Sequence, residues 1–378
     1  MNLLHTSDWH LGAMDGDQSL LEDQRCFIDE ICGIVRDRSV DAVLIAGDVY
    51  DRSVGSAEAI KLYDYAMTRL CGELKVPVLI IAGNHDGAER LSSCRELLAS
   101  AGLHISGALE EKPSKVSLGD TDVYLLPWIT EEKVKSIFRD RREEISSLED
   151  AYRVVLEEIR RDFDPAKRHV LVAHAYLTNS ETSTSDRAAE IGTAVHVPAG
   201  LFDGFDYVAL GHLHGPQDVT KKIRYSGTPM PYSFGKEENQ QKSVTILHTE
   251  DMTRTVVPLS PLHSRVTLEG TLEELLTGDY PDRVRNGYVR LKVTDQYVGL
   301  EALSELKKVF ANPLEVSGRS FEGENTTVTL TMEELEELET NPVEVFRHFC
   351  REETDMEPDE HFIRMFEDAV RCAQEEKA

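Results

Sequence analysis

Leu3-Leu4-His5-Thr6-Ser7-Asp8-Trp9-His10 is an apolar run that stops on a carboxylate and an imidazole two residues apart. The same grammar returns down the chain. Val43-Leu44-Ile45-Ala46 leads into Gly47-Asp48-Val49-Tyr50-Asp51, and Val78-Leu79-Ile80-Ile81 leads into Gly83-Asn84-His85-Asp86. Val170-Leu171-Val172-Ala173 ends on His174, and Val208-Ala209-Leu210 on Gly211-His212-Leu213-His214. Short runs rich in Val, Ile and Leu read as buried strands. Metal-ligating side chains repeated at strand ends predict that they gather on one edge of a sheet.

The donor set defines the chemistry. Asp8 and His10, two apart on an extended chain, are expected to share a face and one metal. Asp48 has two oxygens and can bridge two ions. Asn84 adds a neutral oxygen, and His174, His212 and His214 add nitrogens. No cysteine falls in a cluster, which argues against a structural zinc site. Mixed carboxylate, amide and imidazole donors suit two divalent ions, Mn²⁺ first, with Mg²⁺ or Fe as alternatives. Such a pair would acidify a shared water and clamp a phosphate for in-line attack. His85 is the candidate catalyst, giving a proton to the leaving oxygen or stabilising the transition state. Asp86 is either an orienting partner of an imidazole or a turn-former. Trp9 is expected to pack beneath the site. His5, His104, His169 and His196 belong to no cluster.

Around these motifs the chain alternates strand and helix. Helices are expected at 20–38, at 56–74 with Ser56 as N-cap, and at 91–101. From Val116 the texture becomes strand-rich, with strands at 116–118, 123–126, 170–173, 207–210, 223–226 and 244–247. The charged stretch 131–163 reads as helix broken near Ser146. A second sheet packed on the first gives an α/β (α+β) fold, a four-layer αββα sandwich. Pro258 and Pro261 mark a boundary. The expected domains are 1–258, a small α+β capping domain at 259–331, and a helical segment at 332–378. Helices are expected there near 332–339, 342–353 and 360–376, with an apolar stripe of Phe362, Ile363, Phe366, Ala369, Val370 and Ala373.

Composition narrows the partners. The 378 residues carry a net charge of −28, which disfavours a protein that wraps nucleic acid unaided. Residues 331–378 hold sixteen acids against five bases. No apolar run approaches the ~20 residues of a membrane span, so no membrane partner is expected. The N-terminal residues lack a basic leader and apolar segment, and the six scattered cysteines form no CxxC. A cytoplasmic protein is the expectation.

Asp-x-His, Gly-Asp-x-x-Asp, Gly-Asn-His-Asp, a lone His and Gly-His-x-His, in this order, resemble the calcineurin-like metallophosphoesterase superfamily. Thr6-Ser7-Asp8-Trp9-His10-Leu11-Gly12, Gly47-Asp48-Val49-Tyr50-Asp51-Arg52 and Ser226-Gly227-Thr228-Pro229-Met230-Pro231-Tyr232-Ser233-Phe234 narrow the resemblance. They are similar to the SbcD family, the nuclease subunits of SbcCD complexes in double-strand-break repair, and the similarity runs the length of the chain. The resemblance implies Asp8, His10, Asp48 and His214 around one metal, Asp48, Asn84, His174 and His212 around the other, and His85 as the catalytic histidine. It implies Mn²⁺-dependent 3′→5′ exonuclease action on duplex DNA and endonuclease action near blocked ends or hairpins. It also implies a homodimer and an SbcC-type coiled-coil ABC ATPase partner docked by the acidic tail. Archaeal and eukaryotic relatives carry a second histidine where this chain has Asp51, so that histidine's role does not transfer. The alternatives are a general phosphodiesterase or phosphatase on the same scaffold, or a scaffold that tethers DNA ends.

Overall fold

The computed structural model describes residues 1–319 except 179, 183–195 and 297, together with 327–331, 343, 346–347 and 362–367. The chain divides into two compact units. The first holds residues 1–14 and 19–265, and the second takes in 15–18 and the residues from 266 onward.

The first unit contains two six-stranded sheets. In spatial order, one sheet runs Thr253–Pro258, Ser243–His248, Asn2–Thr6, Ala42–Ala46, Val78–Ile81, Leu103–Ser106. Its last four strands are parallel, as the apolar runs joined by helices require. The other runs Gln217–Asp218, Ile223–Tyr225, Tyr207–Gly211, Arg168–His174, Thr121–Leu126, Ser114–Leu118. Leu3, Leu44, Leu79 and Ile81 of the first sheet share one buried cluster with Val123, Val170, Val172 and Ala209 of the second. The alternate residues Leu4, Val43, Ile45 and Ile80 point the other way and are also fully buried. Helix Leu21–Asp37 buries Phe27, Ile28, Ile31 and Val35. Beyond the second sheet, helix Leu148–Arg161 packs Tyr152, Val155, Leu156 and Ile159 against Leu171, Val208 and Leu210. The layers are therefore helix, sheet, sheet, helix, as expected.

Ser56 caps helix Ala57–Met67, its hydroxyl accepting from the Ala59 amide, and a π-helical turn Thr68–Glu73 extends it. The break near Ser146 is present: Ser147 caps the helix Leu148–Arg161. Two expectations need correction. The helix at 91–101 is two short pieces, Ala88–Leu91 and Arg95–Ala99, because Cys94 takes a left-handed φ of 58° between them. The strand near 244–247 does not join the second sheet. Ser243–His248 pairs antiparallel with Asn2–Thr6 in the first, a partnership hundreds of residues apart that local pattern does not encode.

His5 sits between the sheets, fully buried. Its Nε2 lies 3.1 Å from the Leu210 carbonyl, which only accepts, so the ring proton is there. Nδ1 then accepts from the Tyr207 hydroxyl at 3.0 Å. Burial lowers His5 from 6.5 to about 3. A depressed folded value means that acid protonates the unfolded chain first. The stability His5 supports is whole above pH 6.5 and is lost as pH falls toward 3. Between pH 7 and 5.5 the expected loss is about 1 kcal/mol from this residue. A His5→Gln variant should unfold in urea with a shallower loss of midpoint over that range. An unchanged slope would contradict the assignment.

In the second unit the sheet order is Arg265–Gly270, Tyr288–Val293, Asn312–Arg319, Thr327–Thr331. Helix Leu300–Val309 adds Leu303 and Leu306 to a core with Val289, Leu291, Phe310 and Val316. The expected tail helices fall largely outside the described residues; 343, 346–347 and 362–367 are helical.

Candidate metal centre

The strand Asn2–Thr6 stops two residues before Asp8. Asp8 and His10 therefore share a face through a turn and not through the pleat of a strand, which corrects the sequence reading. Both have left-handed backbone, φ 53° and 44°, as do Asp48 at 49° and His212 at 104°. Non-glycine residues in this region cost roughly 1–3 kcal/mol each and gather at functional sites. The turn is zipped to the next ligand loop: the amides of Asp8, His10 and Leu11 donate to the carbonyls of Gly47, Asp48 and Val49 at 3.0, 3.0 and 2.9 Å. Glycine is required at 83 because a Cβ there would strike the Asp48 carboxylate.

All seven expected ligands come together. Nε2 of His10 and His214 stand 3.2 Å apart. Asn84 Oδ1 is 2.9 Å from His174 Nε2 and 3.1 Å from His212 Nδ1. Asp48 lies between these groups, its Oδ2 3.3 Å from His174 Nε2 and 3.9 Å from His10 Nε2. Donor atoms of Asp8, His10 and His214 lie within 4.8 Å of one another, and so do those of Asp8, Asp48 and His174. The first sheet supplies Asp8, His10, Asp48 and Asn84; the second supplies His174, His212 and His214.

This donor set fits divalent cations. His174 commits its Nδ1 proton to the Ala46 carbonyl at 2.8 Å, which aims Nε2 at Asn84 and Asp48. His10 Nδ1 is buried without a hydrogen-bond partner. Burial pushes the Asp8 carboxyl up to about 7, with Asp48 adding to it against the pull of His174. For His174, burial lowers the imidazole, but Asp48 and Asp8 lift it to about 9.

His85 is half-buried. Its amide donates to Asp48 Oδ1 at 2.9 Å, and its Nδ1 donates to the Asp51 carbonyl at 2.8 Å. Burial pulls its imidazole down, but Asp48 and both the carbonyl and carboxylate of Asp51 raise it above the ordinary value. Asp51 Oδ1 also stands 3.8 Å from His10 Nδ1.

Asp86 does not orient an imidazole. Its buried carboxylate accepts from the amides of Val49, Tyr50 and Gly83 at 3.1, 2.9 and 2.9 Å, tying the Asp48 loop to the Asn84 loop. Asp86→Ala strands three buried donors and should cost roughly 2–4 kcal/mol. Chemical denaturation would show it, with Asp86→Asn milder. Trp9 packs beneath the site, fully buried, its Nε1 donating to Thr6 Oγ1 and its ring edge-on to Phe27.

Sequence reasoning missed several supporting residues. Trp128 stacks on His212 with centroids 5.3 Å apart and also meets His174 edge-on. Gln24 donates to the His10 carbonyl at 2.7 Å and accepts from the Gly12 amide at 2.9 Å. Tyr232 places its ring against His10 and His214. Only Tyr232 lay in a quoted motif; the others are single residues in ordinary helix or loop sequence.

Among the described residues, no helix is long and apolar enough to cross a membrane. Residues 1–216 match the family described as calcineurin-like phosphoesterase, and 262–354 match the type 5 capsule protein repressor C-terminal domain. The SbcD nuclease subunit of SbcCD from Staphylococcus epidermidis is 34% identical over 326 residues, 85% of this chain and 86% of that protein. Similar solved structures include TT1561 of Thermus thermophilus, with 13% identity, TM-score 0.38, and coverage of 68% of this chain and 99% of that one. Another is Yfce, a phosphoesterase from E. coli, with 13% identity, TM-score 0.28, and coverage of 69% and 100%. A phosphoesterase match across more than half the sequence, with a relative this similar across most of it, means that the chain belongs to the calcineurin-like phosphoesterases, in the family of the SbcD nuclease subunits.

Proposed function

We propose that this chain is a two-metal DNA nuclease, a 3′→5′ exonuclease on duplex ends and an endonuclease near hairpins and blocked ends. The observation that carries the reading is the meeting of seven oxygen and nitrogen donors from two sheets, with Asp48 between the halves and His85 beside it. Asp8, His10, Asp48 and His214 would hold one ion, and Asp48, Asn84, His174 and His212 the other. Bound Mn²⁺ supplies a water of lowered pKa and Lewis-acid charge at the phosphate. The chain's own residues do the rest. His85, with Nδ1 engaged by Asp51, keeps Nε2 to deliver a proton to the departing oxygen. The neutral Asn84 limits the anionic charge that an incoming phosphate meets.

The net charge of −28 leaves little general attraction for DNA. We infer that a coiled-coil ABC ATPase of the SbcC type brings the duplex to the site, docked on the acidic segment 332–378, and that the chain works as a homodimer. The same reading places the domains at 1–258, 259–331 and 332–378. The test is Mn²⁺-dependent cleavage of linear duplex DNA with and without the ATPase partner and ATP. Shortening from 3′ ends is expected. Hydrolysis of small phosphodiesters without cleavage of any DNA would replace this reading with a general phosphodiesterase.

A further inference from the structure

The stretch Ser226-Gly227-Thr228-Pro229-Met230-Pro231-Tyr232-Ser233-Phe234 contributes no candidate ligand, yet it wraps the His10–His214 pair. Ser226 Oγ donates to the His5 carbonyl, and Ser7 Oγ donates to the Gly227 carbonyl. The Thr228 amide donates to the His214 carbonyl at 3.1 Å. Tyr232 Oη donates to the Trp9 carbonyl. Behind this belt lies a buried ion pair. Glu237 and Lys242 are each 1% exposed and meet at 2.7 Å. Lys242 Nζ also reaches Thr228 Oγ1 at 2.8 Å, the His214 carbonyl at 2.9 Å and Gln240 Oε1 at 3.0 Å. Glu237 accepts from the Tyr232 amide at 3.1 Å and from Ser233 Oγ at 2.6 Å, and its Oε1 is 4.0 Å from His214 Nδ1.

A buried ion pair is a poor way to gain stability, since apolar residues of similar volume do as well or better. Its expense needs another explanation, and its position gives one. The ammonium grips the backbone of a ligand residue, and the carboxylate grips the belt beside that ligand's ring. His174 and His212 are held differently, by the Ala46 carbonyl and the Trp128 ring.

We propose that Glu237 and Lys242 are positioning residues for His214. They set the metal affinity of the pocket made by Asp8, His10, Asp48 and His214, and leave the pocket made by Asp48, Asn84, His174 and His212 as it is. This rests on the two-metal reading of the site.

The test is calorimetric titration of the metal-free full-length protein with Mn²⁺, in the wild type and in a Glu237→Gln/Lys242→Met double variant that removes both charges together. Two binding events are expected in the wild type. In the double variant one should weaken roughly ten- to a hundredfold, as for other outer-shell changes, while the other keeps its affinity. Two unchanged events in a folded double variant overturn the proposal and leave the two-metal reading standing. Equal weakening of both events also overturns it, since that is general loosening. Fewer than two events in the wild type would sink the two-metal reading and this inference with it. If the double variant does not fold, Glu237→Asp shortens the carboxylate and keeps both charges. The same one-event weakening is then expected, and its absence is decisive.

Discussion

His85→Ala is expected to bind both metals and to lose about 10²- to 10⁴-fold in the rate of Mn²⁺-dependent DNA cleavage, the range for removing a positioned proton donor. Binding should survive because the contact from His85 to the candidate metal ligands that matters for the loop is its backbone amide on Asp48, which alanine keeps. What disappears is the ring, whose Nδ1 is anchored on the Asp51 carbonyl. The loss should fall on kcat, with KM for DNA nearly unchanged, because the ring acts on the leaving oxygen and not on binding. Single-turnover kinetics with saturating Mn²⁺ measure this directly. A variant that cleaves at the wild-type rate removes His85 from the mechanism; one that has lost its metals makes it a structural loop residue.

Asp48→Asn should have the larger effect on metal binding. The Asp48 carboxylate stands between both imidazole groups, 3.3 Å from His174 and 3.9 Å from His10. Loss of a bridging anion should weaken both ions by more than the roughly hundredfold of an outer-shell change, and cleavage should fall to background. Folding should respond in the same sense when no metal is present. Asp48 lifts His174 to about 9, so the metal-free site pairs the Asp48 carboxylate with a protonated imidazole, and an amide at 48 leaves that buried charge unpaired. Without metal, the variant is expected to melt below the wild-type temperature. With Mn²⁺ at about a hundred times each Kd, the wild type should gain about 2.7 kcal/mol per bound ion and the variant almost none. Melting curves with and without Mn²⁺ separate the two effects. A variant that keeps the wild-type gain from Mn²⁺ would mean that Asp48 serves the fold and not the metals.

The candidate ligands were legible because each ends an apolar strand or lies within four residues past one, so the chemistry is written locally. The parallel half of the first sheet was legible for the same reason, through strand and helix periods in the first hundred residues. Three things were not. The left-handed turns at Asp8 and His10 mimic, in spacing, a strand that is not there, since a gap of two looks alike in both. The place of Ser243–His248 depends on pairing with Asn2–Thr6, and apolar alternation does not say which sheet a strand joins. Asp86, Glu237 and Lys242 act through partners that no local pattern marks.

The pairing of Asn2–Thr6 with Ser243–His248 has a consequence for biosynthesis. The strand that leads into Asp8 leaves the ribosome well before its partner, so one of its two edges stays open until residue 248 has emerged. The ligand set itself is incomplete until His214 is out. For most of the intervening translation the chain therefore presents an exposed strand edge and an unfinished cluster of metal donors. Such long-range closure is slow and leaves intermediates prone to association. On the two-metal reading, metal capture is consequently a late event in the life of the nascent chain, and truncations that end before residue 248 should yield neither a closed sheet nor a metal centre.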